Sequence, residues 1–490
     1  MTWWLVAACA IAAVPAGLRW LRVAQREHYL PGEVSRFSVR WWEGTGVSNR
    51  VLYLAAVLGI LGSVLLDRWF AFVVPAVAAL GPIGLSLRGI SSPLAWTSRL
   101  RRVAAVSGLL AGGQFVIGGL LDQPWVVALA LSLIATIVDL ALWILRPYEK
   151  HRGDEWVEKA ASKLRLVGPD VVAITGSYGK TTTKNYVAHL LGGSRRVVAS
   201  PASFNNRMGL ARAINENLIP GTEVFVAEMG TYGHGEIAEL CEWIRPKVAA
   251  MVSIGPVHLE RFGTTREIAL AKSEILDRAE VGVICVDYPE LRRIADERRG
   301  DLEIIEVSSV DGIHVAGERV MPSPDGVFGA NLAVALGVCV ALRIPLVDVA
   351  GRTADMPGTE HRQSRVTGAG GFTIIDDTFN SNPDGARSAL RELADVVAGG
   401  RSAVVTPGMV ELGERQEIEN EDFARLAAAG ADHLVVVGRT NREALLRGSA
   451  NGKASVTVVD SREHAVEWVR ENLGPGDAVL YENDLPDHYP

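Results

Sequence analysis

Residues 171–191 read VVAITGSYGKTTTKNYVAHLL, an apolar run, a glycine-bearing loop and a helix-forming stretch. Such a loop binds phosphate: Gly176 and Gly179 let backbone N–H groups turn toward an anion, the following helix adds the positive end of its dipole, and Lys180 adds a full charge. Thr181 stands where a phosphate loop places the hydroxyl that binds Mg2+. The nucleotide-binding set within TGSYGKTTT is therefore Gly176, Ser177, Gly179, Lys180, Thr181 and Thr182. Its spacing is short. An ordinary Walker A loop carries glycine six positions before the lysine, and that position here is Ile174. A plain turn between strand and helix would also use glycine, but Gly-Lys-Thr directly after an apolar strand points to ATP or GTP.

Further along, Glu228 closes the apolar run VFVAE and His258 follows another, KVAAMVSI. Each thus falls at the carboxyl end of an expected parallel strand, where ligands of open α/β sheets gather, and both are candidate metal ligands. Alone, either would pass for a solvated surface residue. Lys272, in IALAKSEIL, has apolar neighbours and by itself reads as a snorkelling lysine. In IIDDTFNSNPDGARSAL the six polar residues from 376 to 382 exceed what a turn needs, so a binding loop is expected there.

These residues need a sheet to position them. From 153 onward the chain alternates apolar strands with helical segments: VVAIT, EVFVAEM, KVAAMVSI and GVICVDY in one set, FTIID, RSAVVTP, HLVVVG, SVTVVD and AVLYEN in a second that begins near 358. Both sets predict parallel sheets covered by helices, and the break DMPGTE marks a hinge between them. The first 150 residues differ in kind. Apolar runs at about 3–18, 51–66, 69–87, 103–121 and 125–145 approach the roughly 17–25 residues of a spanning helix, which predicts five spans, or four with an interfacial segment. Arginines 19, 22, 26, 36, 40 and 50 follow the first run, and 88, 99, 101 and 102 precede the fourth; those loops are expected on the cytoplasmic side. Tryptophans 3, 4, 20, 41, 42 and 125 flank the runs as an aromatic belt would. Asp139, inside the last run, is expected at a helix contact, with a proton or ion path as the alternative.

A net charge of -7 without a basic stripe argues against a nucleic-acid partner. The four scattered cysteines, without pair spacing, suggest neither a disulfide framework nor a zinc site.

In order, TGSYGKTTT, SFNNRMG, VAEMGTYGHGEIAEL, IGPVHLERFG, AKSEI, DDTFNSNPDGARSAL and GMVELGE run from about 155 to the C-terminus. This series resembles the Mur ligases, most closely the branch that adds D-alanyl-D-alanine to the muramyl tripeptide, and the short phosphate loop is that family's form. The resemblance implies ATP and Mg2+ as cofactors and an acyl-phosphate route to an amide. Lys180 and Thr181 would serve the phosphates and one Mg2+, with Glu228 and His258 as further metal ligands. Lys272 falls where members carry a carbamylated lysine holding a second metal. Asn331 would touch the adenine, Arg362 the phosphates and Asp377 the ribose, while Asn205, Asn206, Asn380 and Asn382 would line the substrate cleft.

Several features depart from the family. A membrane domain stands where a nucleotide-sugar-binding domain is usual, Val327 and Phe328 replace a His-Asn pair, Asn420 replaces a histidine, and YENDLPDHYP replaces a basic Lys-Gly-Ser ending. The expected organisation is a multi-helix membrane domain (1–152), a phosphate-loop Mur ligase central domain (153–356) and a Rossmann-like C-terminal domain (357–490). The expected protein is a multi-pass plasma-membrane ligase, N-terminus outside and catalytic domains cytoplasmic, coupling a muramyl-peptide-like or lipid-linked carboxylate to an amino acid or dipeptide, with membrane-embedded envelope-synthesis partners. A related ligase of polyglutamate type is the alternative within the chemistry, and a nucleotide-driven transporter or sensor the alternative outside it.

Overall fold

The computed structural model describes all residues except 45–46, 86–93, 202–203, 258, 323–326, 358–363, 369, 379–380, 398, 486–488 and 490. The chain divides into two compact units. One comprises Met1–Arg152 with Gly438–Thr440 and Leu485–Pro490, the other Gly153–Val437 and Asn441–Asp484.

The first unit is a helical bundle: α1 (Thr2–Arg26), α2 (Glu33–Gly44), α3 (Val47–Leu65), α4 (Val73–Leu80), α5 (Ser98–Leu120), α6 (Pro124–Ser132) and α7 (Ile134–Val167), which runs on past the unit's end. Leu, Val and Ile side chains remain exposed along α3 and α5, among them Leu54, Leu58, Leu61, Leu109 and Leu120. Such a surface suits lipid and is costly in water. Among the described residues three helices, α1, α3 and α5, are long and apolar enough to cross a membrane, and the pair α6–α7 adds a fourth if its 69° bend is counted within one span. The expectation of five full-length spans is corrected accordingly. In the third apolar run, a 3-10 turn (Arg68–Phe72) precedes the eight residues of α4, which Gly81 and Pro82 bring to an end because proline cannot continue a helix. The fifth run breaks at Leu133, just after Ser132, whose hydroxyl donates to the Ala128 carbonyl at 3.1 Å, an i−4 bond that bends helices.

The chain nevertheless doubles back. Asn49 at the start of α3 exchanges two hydrogen bonds with the Ile83 backbone (3.1 and 2.8 Å). Nearby, the Arg19 guanidinium donates to the carbonyls of Ala78, Ala79, Gly81 and Leu85, filling the acceptors left open at the end of α4. At the opposite end, Thr2 and Arg68 both bind Asp122 (2.5 and 2.6 Å). Asp139 proves to be a helix contact: its carboxylate accepts the N–H groups of Gly32 (2.9 Å) and Ser35 (2.8 Å) and the Ser35 hydroxyl (2.5 Å), capping the N-terminus of α2.

The second unit holds two sheets. The first is built from β1 (Asp170–Thr175), α8 (Lys180–Leu191), β2 (Val197–Ala199), α9 (Arg207–Asn217), β3 (Val224–Glu228), α10 (Glu236–Ile244), β4 (Val248–Met251), α11 (Leu259–Phe262), α12 (Thr265–Ser273), β5 (Val281–Cys285), α13 (Pro289–Arg298), β6 (Glu303–Ser308), β7 (Ile313–Val315), β8 (Glu318–Met321), α14 (Gly329–Ala341) and α15 (Leu346–Ala350). Its strand order is β2-β3-β1-β4-β5-β6-β7-β8, parallel through β6 and antiparallel beyond. The second comprises β9 (Ser364–Thr367), β10 (Thr373–Asp377), α16 (Pro383–Val396), β11 (Ser402–Thr406), α17 (Gln416–Gly430), β12 (His433–Val437), α18 (Arg442–Ser449), β13 (Ser455–Val459), α19 (Arg462–Asn472) and β14 (Ala478–Glu482), in the order β13-β12-β11-β14-β10-β9 with only β9 antiparallel. Strands β1, β3, β4 and β5 are buried almost throughout, as the central strands of a sheet covered on both faces must be. In consequence their carboxyl ends are where side chains reach a cleft.

Candidate active site

The phosphate loop joins β1 to α8 and is held by the loop after β4. The Ser177 N–H donates to the Ser253 carbonyl (2.9 Å), the Tyr178 N–H to Ser253 Oγ (2.8 Å), and Ser253 Oγ in turn to the Tyr178 carbonyl (2.9 Å). Ser177 Oγ donates to the Gly255 carbonyl (3.2 Å) and accepts the Gly255 N–H (3.0 Å). Gly179 turns with φ +76°, and a Cβ there would lie 2.4 Å from Asn331 Nδ2. That amide donates to the Gly179 carbonyl at 2.8 Å, so Asn331, at the start of α14, grips the loop where α8 begins. Lys180 folds back over its own loop, Nζ donating to the carbonyls of Gly176 (2.8 Å) and Ser177 (3.3 Å). Thr182 is buried behind the loop.

Glu228, at the end of β3, gathers three partners. Its Oε2 accepts the Thr181 hydroxyl (2.9 Å) and the Lys184 ammonium (3.3 Å), and its Oε1 accepts Asn205 Nδ2 (3.2 Å). Lys184 and Glu228 are only 3% and 2% exposed, a buried ion pair that the motif did not reveal. The one available signal was spacing: Lys184 is four residues after Lys180 and so shares its face of α8. Burial depresses the Lys184 pKa, opposed by the Glu228 charge. Lys272 is buried on α12 with no hydrogen bond or ion pair among the described residues. Burial, with the Lys180 charge second, holds its pKa well below the ordinary lysine value.

A cavity of about 250 Å³ lies beside the loop and is lined from both sheets: Tyr178, Tyr288, Phe328 and Asn331 on one side, Asp377, Ser381, Asn382 and Asp384 on the other. Two of the expected substrate-cleft asparagines act as helix caps. Asn206 Oδ1 accepts the Gly209 N–H and Asn382 Oδ1 the Gly385 N–H, both at 2.9 Å, so the caps occupy the side-chain oxygens. Asn420 fixes the GMVELGE loop, bonding both the N–H (2.8 Å) and the carbonyl (2.9 Å) of Met409. The Leu259 N–H donates to the Glu411 carbonyl in that loop, so the segment following position 258 meets the second sheet. His258, Arg362 and Asn380 lie outside the described residues.

Residues 174–328 match the Mur ligase middle domain and residues 361–481 the Mur ligase, glutamate ligase domain. A Mycobacterium leprae protein named UDP-N-acetylmuramoyl-tripeptide--D-alanyl-D-alanine ligase is 32% identical over 384 residues, covering 65% of this chain and 72% of that protein. The chain belongs to the Mur ligase family. Among solved structures, a MurF ligase from Thermotoga maritima in complex with ADP is 25% identical with a TM-score of 0.55, covering 68% of this chain and 80% of that one. A MurF from Acinetobacter baumannii shares the fold, with a TM-score of 0.57 at 23% identity over 67% and 77% of the two chains. This Mur ligase is an ATP-dependent acid–amino-acid ligase that works with ATP and Mg2+.

The residues fit both cofactors. The Thr181 hydroxyl and the Glu228 carboxylate are hard oxygen donors converging at the loop's end, the kind Mg2+ takes. At Gly179 only glycine keeps the backbone open to a phosphate, because any Cβ meets Asn331. Beside the loop, the cavity presents three aromatic rings and two carboxylates, a set suited to a nucleoside.

Proposed function

We propose that this Mur ligase is a membrane-anchored enzyme of peptidoglycan precursor synthesis, joining the carboxylate of a muramyl-peptide-like acceptor to the amine of a D-alanyl-D-alanine-type dipeptide. The observation that carries the reading is the cavity beside the phosphate loop, lined by both sheets, in a chain similar to D-alanyl-D-alanine-adding ligases. In this chemistry an acceptor carboxylate oxygen attacks the γ-phosphorus of ATP and ADP leaves. The amine then attacks the acyl phosphate: the C–N bond forms, the C–O bond to phosphate breaks, and the amine proton departs as inorganic phosphate is released. Two anions must meet, so cationic groups and water exclusion decide the rate.

In this reading Lys180 leaves the Gly176 and Ser177 carbonyls for phosphate oxygens, and Arg362 joins it. Thr181, Glu228, His258 and Lys272 form the metal set, which when filled supplies charge neutralisation between nucleotide and acceptor. Burial favours the uncharged amine of Lys272, the form of lysine that adds CO2 to give a carbamate. Asn331 and Asp377 take the nucleoside, while Asn205, Asn206, Asn380 and Asn382 face the acceptor and amine.

Membrane anchoring rests on the first unit. Arg19 and Arg50 lie at the end where Asn49 meets Ile83, and Arg102 pairs with Glu149 at 2.6 Å. The arginine-rich loops and the exit of α7 thereby share one end, which the bias of basic residues assigns to the cytoplasm. Thr2, Arg68 and Asp122 mark the other end, so the N-terminus lies outside.

The test is phosphate release by the full-length protein in detergent with Mg-ATP, offering UDP-linked and lipid-linked muramyl-tripeptide acceptors in parallel, each with and without D-alanyl-D-alanine. Release with amide formation only when both substrates are present supports the reading, and the preferred carrier tells what the bundle serves. Lys180→Ala should abolish coupling while membrane insertion is retained. Coupling that survives this change, or ATP turnover indifferent to both substrates, overturns the assignment.

A further inference from the structure

The second sheet ends in an acidic pair that the reaction above does not use in full. Asp377 closes β10 and Glu482 closes β14, and the two are register partners on adjacent parallel strands, so their side chains stand on the same face. Asp377 lines the cavity; Glu482 lies behind it with no exposed surface. Ser381 donates its hydroxyl to Glu482 Oε1, while Oε2 has no hydrogen-bond partner among the described residues. A carboxylate so placed would carry a charge with no counterion and one acceptor unmet.

The groups on the surrounding elements offer none. On β11 the neighbour is Thr406, whose hydroxyl accepts the Gly408 N–H at 2.9 Å and can turn its own hydrogen toward Glu482, but brings no charge. Helix α16 buries Ala386, Ala389 and Leu393. Its Arg387 is bound to Asp384 and Glu419, and Arg415, which leads into α17, is bound to Glu419 as well. On β10, Asp376 accepts from Thr378. The charge that acts on Glu482 is Asp377, and it is of the same sign.

We propose that Glu482 is a positioning residue for the nucleotide site: as a neutral acid beneath Asp377 it leaves the adjoining ends of β10 and β14 with the one charge of Asp377 toward the cavity, and its ionisation weakens nucleotide binding. The inference rests on the cavity being the ATP site. Burial, and then Asp377, push the Glu482 pKa up to about 8. Below that value one carboxylate accepts hydrogen bonds from the nucleoside; above it two like charges sit side by side, and Asp377 is drawn away from the position it holds at neutral pH.

The experiment is direct binding of Mg-ADP to the full-length protein in detergent, from about pH 6.5 to about pH 9.5, for the native chain and for Glu482→Gln. Affinity of the native protein is expected to fall by about tenfold across this range, with the inflection near pH 8. Glu482→Gln should bind as the native protein does at neutral pH and stay flat at alkaline pH, which a merely structural role would not produce. An alkaline loss that persists in Glu482→Gln, or a variant already tenfold weaker at pH 7, overturns the proposal. Should the variant fail to fold, the native profile alone decides: binding without an inflection refutes the proposal and leaves the ATP site standing. Absence of binding at every pH refutes both.

Discussion

Replacing Lys184 by methionine removes one half of the ion pair at the floor of the site while nearly preserving side-chain volume. Lys184 Nζ and Glu228 Oε2 are 3.3 Å apart, and both side chains are almost wholly buried. Deleting one member of such a pair leaves a buried charge uncompensated, which costs about 3–5 kcal/mol. For a unit of this size each kcal/mol lowers Tm by about 2–4 °C, so Lys184→Met should melt about 6–20 °C below the native protein. Glu228 still accepts Thr181 and Asn205, which places the value toward the low end. The same argument predicts two recoveries. Lys184→Met/Glu228→Gln, with no charge left to compensate, should regain most of the loss, and Mg2+ should raise the Tm of Lys184→Met more than that of the native chain, because the ion provides the missing positive charge. Thermal unfolding of the full-length protein in detergent, with and without Mg2+, measures all three. A single variant within about 2 °C of native, or a double variant no more stable than the single, would refute the reasoning.

Two further substitutions probe separate places. Gly179→Ala puts a Cβ 2.4 Å from Asn331 Nδ2 at a φ of +76°; the strain of about 1–3 kcal/mol should appear as Mg-ADP affinity about 5- to 150-fold lower, and unchanged affinity would show that the loop does not need this turn. Asp139→Asn keeps the shape of the cap on α2 but removes its charge, and Asp139→Ala removes the cap. The alanine variant should lose about 1–2 kcal/mol, seen as an earlier melt in detergent, and the asparagine variant less. An unchanged melt combined with lost coupling would instead favour a proton path through Asp139.

Much of the site was legible because backbone chemistry is local. Gly-Lys-Thr after an apolar strand specifies a strand, a turn and a helix N-terminus without reference to the rest of the chain. The nine strands read from apolar runs are all present, since fully buried parallel strands are continuous in hydrophobic residues. Strands β2, β6, β7, β8 and β9 went unread. They are short or half-exposed, with burial alternating as in β6 and β7, so their pattern is shared with loops. The change in composition near 153 read as a domain boundary, yet the 34-residue α7 runs straight through it; a change in composition looks like a boundary although the backbone is continuous. Lys184 was invisible for another reason. A second lysine one turn along a helix reads as solvated unless the sheet brings a carboxylate to it, and Glu228 is 44 residues away.

The short loop itself has a physical explanation. A Walker A loop is long enough to satisfy much of its own backbone; this one has only Gly176 to Gly179 between β1 and α8. Its hydrogen bonds come from outside, through Ser253 and Gly255 after β4, and its last residue is gripped by Asn331 from α14. Three separate segments of the chain therefore fix one phosphate cradle. Asn331 also lines the cavity into which Asp377 faces from the second sheet. On the proposed assignment, a nucleotide in this cavity would touch Asn331 and Asp377 together and so bear both on the phosphate loop and on the second sheet. Loss of either side chain should then weaken nucleotide affinity and coupling together, whereas Lys180→Ala should remove coupling with the smaller effect on ADP.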